Sequence, residues 1–459
     1  IFLAGNETSS RLYLNKGGLK FEDATEKAGL AAAAWCTGVA VADVNADGWL
    51  DIYVCTAGYP DAARRKNLLF INQGQAGIPV FEEMAAQYGL ADTAYSTQAA
   101  FFDYDLDGDL DLYVLNHANE RATLNTPLPK KINSQASSND HFYKNNGDQT
   151  FTEISKEAGI TIEGYGLGLA ISDFNQDGWP DVYVSNDFIY NDLLYINQQG
   201  KGFSNQISGY FQHQTYNGMG CDAADFNNDG LVDLVEMDML PETDFEQKTM
   251  AGSMTWDKWR MIEEAGYEAQ YMRNSLQLAV SNFGRNGQAE LISAAQSPAA
   301  YAEIGQLAGV DATDWSWAPL FADFDNDGWK DLFISNGYWR DITDRDFIDY
   351  SNNVSMFKSQ EQANRELLPA IRQQKGKRLP NRIFQNKGDL TFEPRSDAWG
   401  MAQPSCSNGA AYADLDKDGD LDLVVNNINE AAFVYENKSD KLLKNNYLAI
   451  KFEGLAQNL

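Results

Sequence analysis

Histidine, cysteine and long apolar runs are all scarce in this chain of 459 residues, and each scarcity excludes a class of function. The only histidines are His117, His141 and His213, so histidine-based acid–base catalysis has few candidates. The four cysteines contain no CxxC pair, which argues against the common zinc and redox motifs. No apolar run reaches the roughly 18 residues that a membrane-spanning helix needs. We therefore expect no direct membrane insertion.

Basic residues are also few, because 35 Lys and Arg stand against 66 Asp and Glu and give a formal charge of −31. That charge opposes nucleic acid and anionic membranes as partners. Aromatic residues make up 12% of the chain and hydrophobic residues 44%, a composition that excludes disorder. The chain shows no signal peptide and does not begin with Met, so we expect its native start to lie upstream.

The acidic residues are concentrated in a nine-residue motif, D-x-[DN]-x-D-G-x-x-D, which occurs six times. A hard divalent cation takes six to eight oxygen ligands, and such a cation makes this crowding of carboxylates tolerable. A single Asp-Gly pair often forms only a turn, but six copies in register predict calcium loops. The copies are DVNADGWLD at Asp43, DYDLDGDLD at Asp103, DFNQDGWPD at Asp173, DFNNDGLVD at Asp225, DFDNDGWKD at Asp323 and DLDKDGDLD at Asp414.

Five positions of each loop are predicted to ligate calcium. Positions 1, 3, 5 and 9 offer side-chain oxygens, position 7 offers its backbone carbonyl, and the glycine at position 6 permits the sharp turn. The predicted ligands are Asp43, Asn45, Asp47, Trp49, Asp51, Asp103, Asp105, Asp107, Asp109, Asp111, Asp173, Asn175, Asp177, Trp179, Asp181, Asp225, Asn227, Asp229, Leu231, Asp233, Asp323, Asp325, Asp327, Trp329, Asp331, Asp414, Asp416, Asp418, Asp420 and Asp422. Six structural Ca²⁺ ions would reduce the charge to about −19.

The loops differ from EF-hands at position 12. An EF-hand needs a bidentate glutamate there and a helix on each side. Only the fourth copy has a glutamate, Glu236, and it lies in a predicted strand. We therefore reject the EF-hand.

The segments around the loops predict an architecture. Each loop lies between a strand of small residues, such as TGVAVAD, and a β-branched strand, such as DIYVC; an N-x-x-Y/F-x-N-type segment and a segment that opens on an aromatic residue recur further along. Four short strands per repeat are typical of a propeller blade. The chain opens with IFLAGN, which matches the strand after a loop, so six full motifs and one headless repeat predict seven blades.

We therefore predict an all-β fold, a seven-bladed β-propeller over residues 1–440 with calcium loops in six blades and partly helical insertions. The first blade is expected to lack its inner strand and its calcium loop. Residues 441–459 are expected to form a last strand or to begin a further segment.

The sequence leaves open whether two of the cysteines form a disulfide. Cys36 and Cys55 flank the first loop on neighbouring predicted strands, but cross-strand disulfides are geometrically demanding. Cys221 and Cys406 lie in predicted central strands and are most simply buried small residues.

The loops and their flanks resemble FG-GAP/VCBS repeats, the units of the integrin α-subunit propeller, over nearly the whole chain. Segments such as STQAAFFDYDLDGDLDLYVLNH and SNGAAYADLDKDGDLDLVVNNIN are similar to those of bacterial relatives of cartilage acidic protein. NNYLAIKFEG resembles the start of an ASPIC/UnbV segment, which is cut short here. The resemblance implies a secreted or surface-exposed calcium-binding propeller and implies no known reaction. Low-affinity calcium modules also work where calcium is about millimolar, outside cells.

Function beyond calcium binding is expected in three insertions, at residues 116–140, 239–273 and 337–380. Aromatic residues there, namely Trp256, Trp259, Tyr338 and Trp339, suit stacking on sugar rings, although packing against the blades is the simpler explanation.

Two classes of function remain open. One is a binding or adhesion module for a protein or glycan, monomeric within a longer chain. The other is a carbohydrate-active enzyme, a polysaccharide lyase or hydrolase that uses one propeller face. Convergence of two or more of His117, His213, Tyr338 and Arg340 in one cleft would favour the enzyme. We favour the binding module because no catalytic constellation is evident.

Overall fold

Seven small antiparallel sheets follow one another along the chain in the computed structural model, which describes residues 1–6, 8–31, 34–74, 77–117, 128–250, 256–280, 301–448 and 450. We number these sheets blades 1 to 7 in chain order. In blades 2 to 6 four strands pair in chain order, whereas the described residues of blades 1 and 7 form three strands each. The predicted all-β, seven-bladed propeller is therefore confirmed.

The strands are numbered β1 to β30 along the chain. Blade 1 contains β1 (Phe2–Leu3), β2 (Arg11–Asn15) and β3 (Phe21–Asp23). Blade 2 contains β4 (Cys36–Ala42), β5 (Asp51–Thr56), β6 (Leu68–Asn72) and β7 (Phe81–Glu83). Blade 3 contains β8 (Tyr95–Phe102), β9 (Asp111–His117), β10 (His141–Asn145) and β11 (Phe151–Glu153). Blade 4 contains β12 (Gly166–Ser172), β13 (Asp181–Asn186), β14 (Leu193–Asn197) and β15 (Phe203–Asn205).

Insertions interrupt the numbering in the later blades. Blade 5 contains β17 (Gly220–Ala224), β18 (Asp233–Met237), β20 (Ser275–Ala279) and β21 (Tyr301–Glu303). Blade 6 contains β22 (Ser316–Ala322), β23 (Asp331–Asn336), β25 (Arg382–Asn386) and β26 (Phe392–Pro394). Blade 7 contains β28 (Ser407–Ala413), β29 (Asp422–Asn427) and β30 (Phe433–Tyr435). Two short pairs lie outside the blades: β16 (Gln214–Thr215) with β19 (Gln270–Tyr271), and β24 (Leu379–Pro380) with β27 (Pro404–Ser405).

The first strand of each full blade lies at the centre of the ring, where the first strands of successive blades contact one another. Small residues are needed at these contacts. A Cβ on Gly38 would lie 2.5 Å from the carbonyl oxygen of Thr97 in the next blade, so only glycine fits there. This explains the small-residue strands that precede the loops.

One side-chain hydrogen bond recurs between blades. The amide of an asparagine at or just beyond the end of the third strand donates to the backbone carbonyl at loop position 2 of the preceding blade. It does so from Asn197 to Tyr104 (2.9 Å), from Asn386 to Phe226 (2.9 Å) and from Asn437 to Phe324 (2.6 Å). The same bond joins Asn15 of blade 1 to Leu415 of blade 7 (2.6 Å), and this contact closes the ring.

The core lies between neighbouring blades. Tyr53 and Leu69 of blade 2 pack with Leu112 and Val114 of blade 3 in one buried cluster, and similar clusters follow around the ring. The sheets of blades 2 to 6 are therefore buried on both faces, as expected for propeller blades.

The insertions leave the blades after the second strand, on the face opposite the acidic loops, which follow the first strand. Blade 5 carries α3 (Asp244–Thr249) and α4 (Trp256–Glu264), and blade 6 carries α6 (Arg345–Phe357) and α7 (Gln360–Gln373). The partly helical character predicted for these insertions is correct. Short helices elsewhere are α1 (Ala85–Tyr88), α2 (Ile207–Tyr210), α5 (Gly305–Ala308), α8 (Ser439–Leu442) and a 3₁₀ turn at Ala62–Arg64.

The cysteines, the membrane-spanning helices and the ends of the insertions were also subjects of sequence-based expectations. All four cysteines are free. Cys36 pairs with Thr56, so it lies on the opposite side of the sheet from Cys55 and the two cannot form the disulfide that the sequence left open. Among the described residues, no helix has the length and apolar character to cross a membrane. Parts of the predicted insertions (118–127 and 251–255) and half of the predicted ASPIC/UnbV start lie outside the described residues.

Candidate metal centres

Each acidic loop connects the first and second strands of blades 2 to 7 and folds around the carboxylate at position 1. In the first loop, Asp43 accepts hydrogen bonds from the backbone N–H groups of Asp47 (3.0 Å) and Gly48 (2.7 Å). The carboxylate of Asp47 in turn accepts the N–H of Trp49 (2.9 Å). The pattern repeats in the loops that begin at Asp173, Asp225 and Asp323. The acidic side chains thus shape the turn and point their oxygens toward its centre.

Two positions in every loop have a left-handed backbone. The glycine at position 6 has φ between 86° and 99°, as the sequence predicted. Position 4 is also left-handed, with φ between 55° and 66° at Ala46, Leu106, Gln176, Asn228, Asn326 and Lys417. The residue types revealed this second turn only in part, since Asn at two of the six positions favours such a φ whereas Ala and Leu rarely adopt it. The hydrogen-bonded carboxylates on either side hold it in place.

The aspartate at position 9 has a second role that sequence reasoning missed. All six of these side chains are fully buried. Asp331, for example, accepts the N–H of Phe324 at loop position 2 (3.1 Å) and the N–H of Asn386 in the third strand (3.0 Å). The same two bonds form in every blade that carries a loop. Position 9 therefore fastens the loop to the blade as well as facing the site.

In three loops the carboxylates of positions 1, 3 and 9 converge, so that their oxygens lie within 4.8 Å of one another. These sets are Asp103, Asp105 and Asp111; Asp323, Asp325 and Asp331; and Asp414, Asp416 and Asp422. Oxygens that ligate one Ca²⁺ at about 2.3–2.6 Å are no more than about 5 Å apart, so the separation fits that ion. These donor sets offer only oxygen, which suits a hard cation.

The other three loops have asparagine at position 3. Asn45 accepts the N–H of Asp47 through its side-chain oxygen (3.1 Å), and its amide donates to the Asp47 carboxylate (3.1 Å). Asn175 and Asn227 make the same contacts. Each amide oxygen stays within the loop, where it is available as a neutral ligand.

Two loops contain groups that the motif did not predict. Lys144 of β10 forms an ion pair with Asp105 and lies 3.5 Å from Asp107. Its ammonium must move aside before a divalent cation can bind the second loop. In the sixth loop, Asp440 of α8 joins Asp418 and Asp420 in a further set of close carboxylates. The motif did not reveal Asp440, because this residue lies beyond the motif in the sequence.

The tryptophans at position 7 cover neighbouring turns. Trp49, Trp179 and Trp329 lie against Gly74, Gly200 and Gly388 respectively, where a Cβ would approach the indole ring to about 3 Å. These three side chains at position 7 therefore pack against neighbouring turns. That the backbone carbonyl of position 7 ligates calcium stays a prediction.

Burial raises the pKa of the position-9 carboxyls when no cation is bound. The pKa rises to about 6 for Asp51, to about 7 for Asp181 and Asp233, and to about 8 for Asp111 and Asp331, and the nearby loop carboxylates add to the effect. The ordinary value is near 4. Calcium must therefore compete with protons for these oxygens near neutral pH.

This competition predicts opposite pH dependences with and without calcium. In EDTA the folded protein holds more protons than the unfolded chain between about pH 4 and 8, so its stability should fall as pH rises through that window. Calcium binding should release protons and tighten over the same window. Thermal melts in EDTA at pH 5.5 and 8, and calorimetric calcium titrations in two buffers of different ionisation enthalpy, test both signs. A metal-free protein that gains stability toward pH 8 would contradict the assignment.

The opposite face holds a large cavity at the centre of the ring, which we call the axial cavity. Its volume is about 1010 Å³, and residues from several blades and from both helical insertions line it. Aromatic residues dominate the wall, namely Trp35, Tyr95, Phe188, Tyr216, Trp315 and Trp317.

Polar residues are a minority in this wall, and two of them, Asp187 and Lys258, are an ionisable acid and an ionisable base. Burial raises the pKa of Asp187 to about 7, and its carboxylate accepts the N–H of Phe188 (2.6 Å). Phe188 itself has a left-handed backbone with φ 61°, which is strained for an aromatic residue. The ammonium of Lys258 lies 5.1 Å from the centre of the Tyr216 ring. The cavity is therefore apolar with a few charged groups at fixed places.

The four residues whose convergence would favour an enzyme lie in different surroundings. His117 lines the axial cavity, and Tyr338 lines a smaller adjoining pocket. His213 lies near Glu303 (3.5 Å) and Arg273 (3.3 Å), and Arg340 donates to the Gln374 carbonyl (2.8 Å). No pair of them lines one described pocket, so the convergence that the enzyme hypothesis requires is not observed among the described residues.

The remaining candidates occupy structural or exposed positions. His141 lies 2.5 Å from Asp92, in the strand position that the sequence indicated. Trp256 is 69% exposed and stacks on Trp259 (5.3 Å between ring centres). Packing against the blades, the expectation for this pair, therefore does not describe Trp256.

Comparison with known proteins supports the repeats. The FG-GAP-like repeat model matches residues 1–54, 132–184 and 173–236, so the chain contains FG-GAP-like repeats. No curated protein matches the chain significantly. Among solved structures, the biofilm matrix protein Bap1 of V. cholerae is similar at 11% identity, over 95% of this chain and 76% of that chain, with a TM-score of 0.37. The rhamnogalacturonan lyase PL11 of Bacillus licheniformis is similar at 12% identity, over 87% and 71%, with a TM-score of 0.31. Similarities this distant carry no argument about function.

Proposed function

We propose that this chain is a secreted or cell-surface binding module, in which calcium fixes the acidic loops and the axial cavity binds part of a glycan or protein. The axial cavity carries the proposal. It is as large as typical ligand sites, which are about 300–1000 Å³, and it combines an apolar wall with few polar groups, as such sites do. Its position at the ring centre lets residues from separate blades contact one ligand.

Aromatic side chains in the wall suit two kinds of ligand. Their faces stack on the apolar faces of sugar rings or accept apolar side chains of a protein. Asp187 and Lys258 supply polar groups at two places in the wall that can fix the orientation of such a ligand. The strained backbone of Phe188 is typical of functional sites, because strain persists where the surrounding structure enforces it.

The proposal also includes calcium binding by the acidic loops and a location outside the cell. The loops offer oxygen-only donor sets at spacings that fit Ca²⁺. We infer that about six ions bind and that the protein works outside the cell as a monomeric propeller within a longer chain, with neither nucleic acid nor membrane as partner. The closer relationship to cartilage acidic protein, with an ASPIC/UnbV segment after the propeller, is part of the same proposal.

A glycan and polysaccharide array, run with Ca²⁺ and with EDTA, tests the module, and variants locate the site. Trp35→Ala removes an aromatic wall of the cavity and should weaken binding of any hit on the order of tenfold, since a lost ring contact contributes about 1 kcal/mol or more. Trp49→Ala is the matched control, because Trp49 lies on the opposite face. Titration calorimetry measures both. Binding that survives in Trp35→Ala and is lost in Trp49→Ala would place the site on the acidic-loop face and overturn the proposal.

A further inference from the structure

The second strand of blade 5 carries an acid where the other blades carry an apolar residue. Position 12 of the loops is Glu236 in the fourth copy, and it is Val54, Val114, Val184, Ile334 and Val425 in the rest. All six side chains are buried, Glu236 at 1% exposure. The propeller therefore places one carboxyl in the core between blades 4 and 5, at a site where the repeat ordinarily has a hydrocarbon.

A second buried acid faces it from blade 4. Asp192 is fully buried, and one of its oxygens accepts the N–H of Asn186 (2.9 Å). This bond is ordinary for the fold, since Asn67, Asn274 and Asn381 make it in other blades. The exceptional feature is the other oxygen of Asp192, which lies toward Glu236.

Two buried hydroxyl groups complete the cluster. Ser185 and Thr215 are both fully buried and lie within reach of Glu236. Glu236 accepts one aligned hydrogen bond, from the Tyr183 hydroxyl (3.0 Å). Four oxygens are left without an aligned partner: Asp192 Oδ2, Glu236 Oε1, Ser185 Oγ and Thr215 Oγ1. Ser185, Thr215 and Asp192 all lie against the Glu236 carboxyl, so a cation at this place would have several oxygen donors around it.

The backbone next to this cluster makes room for it. A Cβ on Gly218 would lie 2.4 Å from Ser185 Oγ and 2.5 Å from Glu236 Oε1, so glycine is required there. Cys221 is the cross-strand partner of Glu236. Burial raises the pKa of its thiol well above the usual value, so it stays neutral and the donor set consists of oxygens.

Two buried carboxylates need neutralisation, because each unpaired charge in a protein core costs several kcal/mol. A shared proton would neutralise only one of the two charges. A divalent cation neutralises both charges and uses all four oxygens, and hard oxygen donors of this kind suit Ca²⁺. We propose that Asp192, Glu236, Ser185 and Thr215 bind a Ca²⁺ ion between blades 4 and 5, separate from the six acidic loops.

The chain itself supplies variants that keep the fold. Glu236→Val installs the residue that blades 2, 3, 4 and 7 carry at this position, and Asp192→Asn installs the residue of blades 2, 5 and 6. Bound calcium is counted by native mass spectrometry on the full chain after dialysis against Ca²⁺. Each variant should bind one ion fewer than the wild type. A wild-type count in both variants is the result that a shared proton gives, and it would overturn the proposal.

A second comparison separates this site from the neighbouring acidic loop. Asp229→Ala removes a position-5 ligand of the fourth loop and should also cost one ion. The double variant Asp229→Ala/Glu236→Val should then lose two ions. A loss of only one ion in the double variant would mean that Glu236 acts through the fourth loop, and the proposal would be wrong. If the acidic loops do not bind calcium but the Glu236 site does, Asp229→Ala should bind as many ions as the wild type. Glu236→Val should still bind one ion fewer.

Discussion

Chelation of calcium with EDTA should lower the melting temperature of this protein by more than about 10 °C. A site that is occupied at a hundred times its Kd adds about 2.7 kcal/mol to the folded state, and six such sites add on the order of 15 kcal/mol. For a chain of this length each kcal/mol corresponds to roughly 1–2 °C. The loss is large because the loops crowd carboxylates in a protein of net charge −31, and EDTA leaves them uncompensated.

Differential scanning calorimetry in millimolar Ca²⁺ and in EDTA measures this shift. A third sample in EDTA with added NaCl is the control, since salt screens charge without filling specific sites. Recovery of the melting temperature by NaCl alone would attribute the effect to general repulsion. An unchanged melting temperature in EDTA would contradict the assignment of the loops as structural calcium sites.

Two substitutions in the fifth loop should each remove one ion and yet differ in their effect on the metal-free protein. Asp327 at position 5 is exposed, and its carboxylate accepts only the N–H of Trp329 (2.9 Å). Asp331 at position 9 is fully buried and accepts two backbone N–H groups. Asp331→Ala leaves both donors without a partner, at a cost of about 1–3 kcal/mol each. Asp327→Ala should cost less than about 1 kcal/mol in EDTA.

Denaturant unfolding in EDTA, together with a calcium count by native mass spectrometry, distinguishes the two roles. We expect one ion fewer in both variants and a destabilisation of about 3–5 kcal/mol only in Asp331→Ala. Asp331→Asn keeps one acceptor oxygen and should fall between them. A calcium count unchanged in Asp327→Ala would refute the assignment of that loop. Equal stability of the two alanine variants in EDTA would contradict the conclusion that the position-9 carboxylate fastens the loop to the blade.

The sequence alone predicted the features that repeat. The spacing of the loops predicted seven blades, because each motif carries its own flanking strands and the core forms between adjacent copies. The ligand positions followed from oxygen chemistry. The hidden role of Asp331 did not follow, since a buried aspartate that accepts backbone N–H groups and one that binds calcium look the same in a motif. The left-handed turn at Leu106 had no signal in its residue type.

Features that depend on ring closure were beyond the sequence. Trp35 and Trp317 are far apart in the chain and share the axial cavity only because the first strands meet at the centre. The position of Arg340 likewise follows from how its insertion packs, since its guanidinium donates to the Gln374 carbonyl. Glu236 was visible as an exception to the motif, but its partner Asp192 belongs to the preceding blade, and only the folded ring brings the two together.

The left-handed residue at position 4 also links neighbouring acidic loops in the later blades. The side-chain amides of Gln176, Asn228 and Asn326 each donate to the position-6 glycine carbonyl of the loop in the next blade. That glycine shares its peptide with the N–H that holds the next position-5 carboxylate. These bonds join the loops of blades 4 to 7 into one hydrogen-bonded chain, and any coupling of binding that they carry acts in both directions, because coupling free energies are reciprocal. Blades 2 and 3, with Ala46 and Leu106 at this position, have no such amide.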